Sequence, residues 1–341
     1  MNLKKYALSE KRFQEITGKF HKKKLLILGD VGVDRYTIGE ASRLSPEAPV
    51  PIVAVAQVVD KLGLAANVAD NARAFGSNPL LASLVGKDRN SEELFGLLRE
   101  KDISTDLVLP RESRRTTMKE RVIANNQQVV RVDHEGASDL SKVDEDFLWA
   151  KIEPRIDECD AVIIEDYSKG MITKTLCNRV IASAKAKKKL VAVDPPSASH
   201  PRYIDYYRGA TVLTPNTLEA ERLSGIEIRS QKDALAAGKH LLEKFECDLL
   251  IITQGKQGMT LFSRDQAPLE VPTFARVVFD VSGAGDTAVT MLTLALSSGA
   301  SLEESAVLAN FAAGVEVGKP GTATVTLSEV MEYMRELGAL H

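Results

Sequence analysis

The sequence predicts an α/β fold in which a mainly parallel, doubly wound sheet is flanked by helices and carries a small β lid. The first observation is that short apolar runs alternate with helical patterns along most of the 341 residues. Strands buried on both faces form continuous apolar runs, and alternating β and α units produce a parallel sheet covered by helices. The predicted strands are KLLILGD, PLLASLVG, AVIIEDY, KLVAVDP, ATVLTPN and DLLIITQG.

The segments between these strands have the apolar spacing of helices. A closing helix is expected in the last fifteen residues, LSEVMEYMRELGALH, and an amphipathic N-terminal helix within residues 1–23. The other predicted helices are AANVADNARAFG, SEELFGLLREK, KTLCNRVIASAKAK and QKDALAAGKHLLEKF.

The second observation is that residues 50–60 and 118–134 are strand-like, with no helix between their paired runs. They predict a few antiparallel strands that project from the main sheet as a lid, inserted at about residues 35–60 and 111–134. Exposed strand edges of such a lid would be covered if two lids paired. We therefore expect a homodimer.

The third observation is that polar residues cluster at the C-terminal ends of the predicted strands, where open α/β sheets bind ligands. Composition limits what those ligands are. The formal net charge of -3 provides no basic field for nucleic acid. No apolar run approaches the roughly 20 residues that span a bilayer, and the N-terminus lacks the apolar core of a signal peptide. Small molecules are the expected ligands.

Cysteine usage indicates the compartment. Cys159, Cys177 and Cys247 are odd in number, far apart and without CxxC spacing. This pattern favours a reducing compartment and supports neither a disulfide framework nor a zinc site. We expect a soluble cytoplasmic protein.

The stretch DVSGAGDT, residues 280–287, carries the strongest chemical signal. Glycines before a helix expose backbone N–H groups that stabilise an anion. Phosphoryl transfer needs such a pocket together with a base for the attacking hydroxyl. Asp286 is the candidate base, and Gly283, Ala284 and Gly285 form the candidate anion hole. The alternative is that Asp286 only caps the helix.

Two further stretches carry weaker signals. In TQGKQG, residues 253–258, two glycines after a strand allow a nucleotide to approach the backbone, but the same pattern is typical of a hairpin turn. In TPNTLEAE, Asn216 and Glu219 suit Mg²⁺ held through water, but their spacing is also that of a capping box.

The end of the first strand, LGDVGVDR, lacks the GxGxxG pattern, so a nicotinamide enzyme is not indicated. Asp34 is expected beyond this strand, where its carboxylate could accept hydrogen bonds from sugar hydroxyls. A turn-forming role is equally compatible with its position.

Together these stretches resemble the ribokinase-like (PfkB) family of sugar kinases. The resemblance runs from about Lys24 to the final helix; DVSGAGDT resembles the family's C-terminal signature and TPNTLE its N-x-x-E element. It implies a ribokinase-like domain over residues 24–341 that transfers a phosphoryl group from ATP, with Mg²⁺, to an alcohol group of a sugar. It leaves dependence on a monovalent cation open.

A narrower resemblance points to the members of this family that phosphorylate D-glycero-β-D-manno-heptose 7-phosphate at O1. It is carried by GDVGVDRYTIGEASRLSPEAPVPIV, NNQQVVRVD, DYSKG, YRGATVLTPN and GKPGTATV. The product would be the 1,7-bisphosphate, on the way to ADP-heptose for the lipopolysaccharide core. Because the sequence ends after the kinase part, a separate nucleotidyltransferase is expected as a partner in the pathway.

The resemblance also implies a role for each matching residue. Asp286 would deprotonate the sugar hydroxyl, while Asn216 and Glu219 would organise Mg²⁺ and the phosphates. The nucleotide pocket would be lined by Thr253, Gly255, Gly258, Asn310 and Asn216. The sugar would be held by Asp34, Gly63 and Asn67, and its phosphate by the family-matched or nearby cations Lys119, Arg121, Arg131 and Lys169.

Three positions depart from the family pattern. Leu64 stands where a second glycine usually precedes the AAN sequence, and Pro196 where heptose kinases carry a lysine. Glu165 adds a carboxylate where a small residue is usual. These changes motivate two alternatives: a kinase of the same family for a different sugar or sugar phosphate, or a non-catalytic ligand-binding protein that retains the fold. The intact DVSGAGDT favours an enzyme.

Overall fold

The computed structural model describes residues 3–136, 138–196, 206–275, 278–319 and 321–341, with side chains from residue 5 onward. The strands, in chain order, are β1 (Lys24–Gly29), β2 (Val31–Leu44), β3 (Pro51–Leu64), β4 (Asn78–Val85), β5 (Val108–Pro110), β6 (Thr117–Ala124), β7 (Gln127–His134), β8 (Ala161–Glu165), β9 (Leu190–Asp194), β10 (Val212–Leu213), β11 (Leu249–Thr253), β12 (Met259–Ser263) and β13 (Leu269–Val271). The α-helices are α1 (Glu10–Thr17), α2 (Ala65–Ala74), α3 (Arg89–Glu100), α4 (Lys142–Ile156), α5 (Lys174–Ala186), α6 (Thr217–Ser224), α7 (Gln231–Lys244), α8 (Ala284–Ser297), α9 (Leu302–Glu316) and α10 (Leu327–Glu336).

The main sheet has nine strands in the order β13-β12-β11-β10-β9-β8-β1-β4-β5. All neighbours from β11 to β5 pair in parallel, whereas β12 and β13 are antiparallel. This is the predicted mainly parallel α/β sheet. β10 is much shorter than the run ATVLTPN suggested, since the chain reaches Pro215, which has no N–H to offer a neighbouring strand.

Two cores cover the two faces of this sheet. Along β1, Leu25 and Ile27 lie in one core, whereas Leu26 and Leu28 lie in the other. Successive side chains of a strand point to opposite faces, so an unbroken apolar run fills both cores at once. Helices α2, α8 and α9 contribute to the first core, and α4, α5 and α7 to the second.

Four strands form a separate small sheet in the order β3-β2-β6-β7. β2 and β3 pair antiparallel, as do β6 and β7. The central pair β2–β6 is parallel, which corrects the prediction of antiparallel strands only. The chain passes through α2, β4, α3 and β5 before β6, and such a long crossover permits parallel pairing.

The N-terminal helix is shorter than predicted: α1 covers only Glu10–Thr17. Ser9 caps it by accepting a hydrogen bond from the N–H of Arg12, and Gly18 follows its last turn. Before α1, the N–H of Leu8 donates to the carbonyl oxygen of Ala339. The N-terminal segment is therefore held against the C-terminal residues.

Candidate active site

Asp286 lies in the first turn of α8 but does not cap this helix. The N-cap is Gly283, which has φ 94° and no side-chain capping hydrogen bond. A positive φ of this size favours glycine, so Gly283 provides the sharp turn into the helix. The Asp286 carboxylate instead bonds to two distant side chains, which contradicts the simple capping alternative.

The two carboxylate oxygens of Asp286 accept short hydrogen bonds from different elements. The amide nitrogen Nδ2 of Asn67, in α2, lies 2.6 Å from Oδ2. The hydroxyl of Tyr167, in the loop after β8, lies 2.6 Å from Oδ1. Burial raises the pKa of Asp286 to about 6, although these two donors oppose the rise. Asp286 is thus an anchored carboxylate that is more basic than an exposed aspartate.

Two more carboxyl groups, one buried and one half-buried, stand at neighbouring strand ends. Glu165 ends β8 and Asp194 ends β9, opposite each other in the parallel register. Burial raises the pKa of both groups well above the usual range, and their negative neighbours, Asp286 among them, add to the effect. The unusual Glu165 therefore lies at the centre of the strand ends rather than on the surface. Glu165 is only 2% exposed.

The five residues predicted to hold a nucleotide line one cavity of about 480 Å³. Ala284 and Gly285, at the start of α8, line the same cavity. The cavity residues among the predicted set are Asn216, Thr253, Gly255, Gly258 and Asn310.

Some of these residues also have ordinary structural roles, such as the hairpin turn that was the alternative to a nucleotide site. Residues 253–258 form the turn between the antiparallel strands β11 and β12, as a hairpin would. Gly258 has φ 92°, and a Cβ there would lie 2.1 Å from the carbonyl oxygen of Val271. Asn310 uses its side chain on the backbone, donating to the carbonyl of Pro272 at 2.9 Å and accepting from the N–H of Phe274 at 3.2 Å.

Asn216 and Glu219 form the capping box at the start of α6. The N–H of Glu219 donates to Asn216 Oδ1, and the N–H of Asn216 donates to Glu219 Oε2. Both residues also line a smaller cavity of about 60 Å³, together with Asp194, Thr214 and Gly285. Within the ranges described, no three His, Cys, Asp or Glu side chains are arranged to bind a metal ion together.

The predicted sugar-binding side chains share one face of the small sheet. Asp34 pairs with Lys119 in the β2–β6 register, and Arg121 pairs with Arg131 in the β6–β7 register. Because alternate residues of a strand share a face, Asp34, Lys119, Arg121 and Arg131 point to the same side. Asp34 is therefore part of a strand, which corrects its predicted place in a loop.

Several of these charged groups already have partners. Arg121 Nη1 lies 2.7 Å from Asp34 Oδ1, Arg131 pairs with Asp133, and Lys169 pairs with Glu135. Lys119 forms no ion pair with a described residue, and its ammonium lies 5.5 Å from the centre of the Tyr167 ring. Burial lowers the pKa of Lys119.

Gly63 and Leu64 end β3 beside these groups. A Cβ on Gly63 would lie 2.9 Å from Asp34 Oδ2, so only glycine leaves room for this carboxylate. Leu64 has φ 59° and ψ -140° and is 6% exposed. Its Cδ1 lies 3.3 Å from where a Cβ of Gly32 would stand, so its side chain packs against β2. Pro196, the other departure, is buried at the edge of the described residues.

The sequence also led to expectations about the cysteines and about membrane-spanning segments. Cys159, Cys177 and Cys247 are free and buried. Burial raises the pKa of each thiol, as expected for structural rather than reactive cysteines. No helix in the described part of the chain is long and apolar enough to cross a membrane.

Comparison with known proteins identifies the family. Residues 22–329 match the family described as pfkB family carbohydrate kinase. The chain belongs to this family. The family is one of carbohydrate kinases, as the sequence resemblance implied.

Within the family, the chain is most readily compared with curated relatives that share about 40% of its sequence. The chain is 42% identical over 306 residues to "Bifunctional protein HldE" of Geobacter sulfurreducens, covering 90% of the chain and 62% of that relative. It is 41% identical to the protein of the same name from Wolinella succinogenes, covering 91% of the chain and 64% of the relative. The chain thus spans somewhat less than two thirds of the length of these relatives.

Solved structures agree on the fold. Arabidopsis thaliana ribokinase, complexed with ribose and ATP, superposes with a TM-score of 0.72 at 17% identity, covering 92% of this chain and 99% of that one. Phosphofructokinase-2 from Escherichia coli, in complex with potassium, gives 0.75 at 20% identity, covering 93% and 99%. The ribokinase-like fold is therefore shared.

Sequence reasoning missed two groups beside Asp286. Tyr167 lies in the DYSKG stretch, and nothing in its spacing points to Asp286, since 119 residues separate them. Glu316, at the end of α9, is fully buried, and neither of its carboxylate oxygens has a hydrogen-bond partner among the described residues. A glutamate in an otherwise apolar helical run, NFAAGVEVG, was the available signal.

Proposed function

We propose that this chain transfers the γ-phosphoryl group of ATP to O1 of D-glycero-β-D-manno-heptose 7-phosphate, giving the 1,7-bisphosphate for ADP-heptose synthesis. The observation that carries the proposal is the position of Asp286. Its carboxylate joins the start of α8 to Asn67, and Lys119, on the charged face of the small sheet, lies near enough to influence its pKa. A base, an anion-binding helix start and a cationic surface for a phosphorylated acceptor thus meet in one place.

The proposed chemistry follows from these groups. Asp286 accepts the proton of the attacking hydroxyl, whose oxygen bonds to the γ-phosphorus while the bond to the ADP oxygen breaks. A pKa of about 6 leaves the carboxylate ionised at neutral pH and closer to the operating pH than an exposed aspartate. The N–H groups of Gly283, Ala284 and Gly285, with the positive end of the α8 dipole, offset charge on the transferred group.

The cavity that leads to α8 fits ATP. Its volume of about 480 Å³ and its apolar lining suit an adenine and ribose. The lining includes Gly255, whose missing side chain would meet no other atom and leaves the backbone accessible, and Gly258, whose missing side chain makes room for the carbonyl oxygen of Val271. Its lining also includes Ala284 and Gly285, so phosphates of a bound nucleotide would meet the start of α8. Thr253 and Asn310 line the same cavity.

Mg²⁺ belongs to the proposal through Asn216 and Glu219. Both residues line the small cavity together with Gly285, and magnesium in such sites keeps much of its water. Because both side chains are used in a capping box, they fit a role through water better than direct ligation of a bare ion. When bound with ATP, Mg²⁺ neutralises negative charge on the phosphates.

The phosphate of the acceptor would bind among Lys119, Arg121, Arg131 and Lys169. Lys119 is the strongest candidate because it forms no ion pair with a described residue and burial disfavours its lone positive charge. A phosphate would supply the missing counter-charge. Asp34, Gly63 and Asn67 lie toward Asp286 and would contact the sugar hydroxyls.

We include a monovalent cation at Glu316. Burial raises the pKa of this carboxyl group to about 8, and a Cβ on Gly283 would lie 3.2 Å from its Oε1. A buried carboxylate beside the anion hole fits a cation that would stabilise the loop before α8. Thermal unfolding in potassium chloride and choline chloride tests this: potassium should raise the midpoint, and Glu316→Gln should abolish the difference. Equal midpoints for the unaltered chain would contradict it.

The small sheet also motivates the homodimer. Its edge strands expose large apolar side chains, including Val55 and Val58 on β3 and Val130 on β7, which are 54%, 53% and 48% exposed. Pairing of two small sheets would cover them. Light scattering at micromolar concentration should give twice the chain mass. A monomer would contradict the dimer.

A second candidate, a kinase of the same family for a different acceptor, is motivated by Leu64 and Pro196 at positions that differ from heptose kinases. Under the first proposal, the protein acts in the cytoplasm, and a separate nucleotidyltransferase acts later in the pathway.

The deciding experiment measures ADP release with Mg-ATP and heptose 7-phosphate, fructose 6-phosphate, ribose or fructose, with Asp286→Asn as the blank. Turnover confined to heptose 7-phosphate is expected, and Asp286→Asn should abolish it while ATP still binds. Turnover on another acceptor would favour the second candidate. ATP binding without turnover on any acceptor would favour a non-catalytic protein, and an active Asp286→Asn would overturn the role of Asp286.

A further inference from the structure

The contact between Tyr167 and Asp286 is the most informative feature that the proposed reaction leaves unexplained. The hydroxyl of Tyr167 lies 2.6 Å from Asp286 Oδ1, at the oxygen that Asn67 does not contact. A carboxylate oxygen that takes a proton from an attacking hydroxyl must first accept a hydrogen bond from it. In the structure, a side chain of the protein makes such a bond.

The loop that carries Tyr167 is held in place by buried carboxyl groups. The Asp30 carboxylate, after β1, accepts backbone hydrogen bonds from Lys169 and Met171, each at 3.1 Å. Asp166 accepts one from the N–H of Ser168 at 2.7 Å and one from the hydroxyl of a buried tyrosine at 2.6 Å. The backbone beside Tyr167 is therefore held by the fold, so a movement of the phenol hydroxyl would be a rotation of the side chain.

The Tyr167 side chain also faces the acceptor side of the site. It is half-buried, and the Lys119 ammonium lies 5.5 Å from the centre of its ring. An acceptor whose phosphate binds Lys119 and whose hydroxyl approaches Asp286 would pass beside this ring. Acceptor binding is thus the event that could move the phenol hydroxyl away from Asp286.

We propose that Tyr167 is a positioning residue that caps Asp286 until the acceptor sugar binds. The inference rests on the proposed role of Asp286 as base. In the sugar-free state the phenol occupies Oδ1 and keeps water from using it. When the sugar binds, its hydroxyl replaces the phenol at Oδ1, donates its proton there and attacks the γ-phosphorus. The cap suppresses the competing reaction, in which water would give its proton to Asp286, bond to the γ-phosphorus and release ADP and phosphate.

The competing explanation is a fixed donor. In that case Tyr167 stays bonded to Asp286 throughout the reaction and only orients the carboxylate. The two explanations differ in the state of the contact after the sugar has bound, and this difference can be measured.

The test is Tyr167→Phe in the full chain, which keeps the ring and removes only the hydroxyl. The first readout is ADP release from Mg-ATP without sugar, which the cap predicts to rise about five- to tenfold, as expected for loss of one hydrogen bond. Tyr6→Phe is the matched control, because it removes a tyrosine hydroxyl that bonds to a surface carbonyl. An unchanged or lower sugar-independent rate would overturn the cap.

The second readout separates the cap from the fixed donor. The acidic limb of kcat/KM reports the free enzyme, and that of kcat reports the complex with sugar. Loss of a donor to the carboxylate should move the kcat/KM limb to higher pH by roughly half to one unit. Under the cap the kcat limb stays in place, since the phenol has already left; under a fixed donor both limbs move. No shift in either limb would also overturn the proposal.

The other charged groups near Asp286 must be the same in Tyr167→Phe and in the unaltered chain for the pH limbs to be compared. Those that face it are Asp34 and Lys119 from the small sheet, Glu165 and Asp194 from the strand ends, and Glu316 from α9. Tyr167→Phe changes none of them, so a selective shift of the kcat/KM limb belongs to the phenol hydroxyl.

The outcome is independent of the larger proposal. If Asp286→Asn retains sugar phosphorylation, the proposed base is wrong whatever Tyr167→Phe does. If Asp286→Asn is inactive and Tyr167→Phe shows no extra hydrolysis, only the cap is wrong. The double variant, Tyr167→Phe with Asp286→Asn, should lose the extra hydrolysis, since the cap proposal ascribes that hydrolysis to Asp286.

Discussion

Leu64 holds a backbone conformation that ordinary side chains avoid, and replacing it separates two opposing effects on stability. Its φ of 59° and ψ of -140° lie in a region that is almost restricted to glycine. Such a conformation costs about 1–3 kcal/mol in a residue with a side chain. Against this, the side chain is 6% exposed and packs beside Gly32.

Comparison of two variants isolates the backbone effect. Leu64→Ala loses the buried side chain, at a cost of about 2–5 kcal/mol, and keeps a Cβ in the strained conformation. Leu64→Gly loses the same side chain but relieves the strain of about 1–3 kcal/mol, offset by about 0.5–1 kcal/mol for the greater freedom of glycine in the unfolded chain. We expect Leu64→Gly to be more stable than Leu64→Ala by about 1 kcal/mol, the reverse of the usual order.

Urea unfolding of both variants measures the difference. Leu62 is the matched control, because it is a buried leucine two residues earlier in β3 and is absent from the residues with positive φ. There the glycine variant should be the less stable one. If Leu64→Ala equals or exceeds Leu64→Gly, the strain argument is wrong. Because the side chain packs against β2, we also expect Leu64→Gly to leave the KM for the sugar phosphate unchanged.

Three further predictions concern the site. Burial raises the pKa of Asp286 to about 6. Since the base must be ionised, kcat/KM should fall about tenfold per pH unit below about pH 6. A kcat/KM profile that is flat down to about pH 5 would contradict this role. Lys119→Met should raise the KM for a phosphorylated acceptor at least tenfold, the effect of losing a charge-assisted hydrogen bond, whereas Lys11→Met, on the exposed side of α1, should have no effect. Glu219→Gln should raise the Mg²⁺ concentration that gives half-maximal rate. Glu329→Gln, in the capping box of α10, is the control and should not change that concentration. Equal responses of the two variants would mean that Glu219 only caps its helix.

The main sheet could be predicted because each strand fills two cores. Leu25 to Leu28 alternate between them, so the apolar run alone identified a buried strand. The start of α8 was predictable for a similar local reason, since glycines, an aspartate and a following apolar helix lie within a few residues. The nucleotide-pocket residues came from the family resemblance instead: Thr253 ends β11, whereas Asn310 lies within α9, where no strand end marks it.

The small sheet and the partners of Asp286 depend on contacts that no local pattern encodes. β2 follows β1 after only Asp30, so its residues read as a strand end and a loop. Its parallel pairing with β6 joins segments about 85 residues apart, and this register alone brings Asp34 beside Lys119. The Tyr167–Asp286 bond spans 119 residues. Sequence spacing carries no information on such pairs.

The small sheet joins the first core at its base, through residues such as Val33, Leu62 and Met118. Beyond that base, the side chains of its charged face lie outside both cores, so exchanging them removes little buried apolar surface. Preference for one acceptor over another can therefore diverge by substitution at alternate positions of four strands while the folding of the main sheet is preserved.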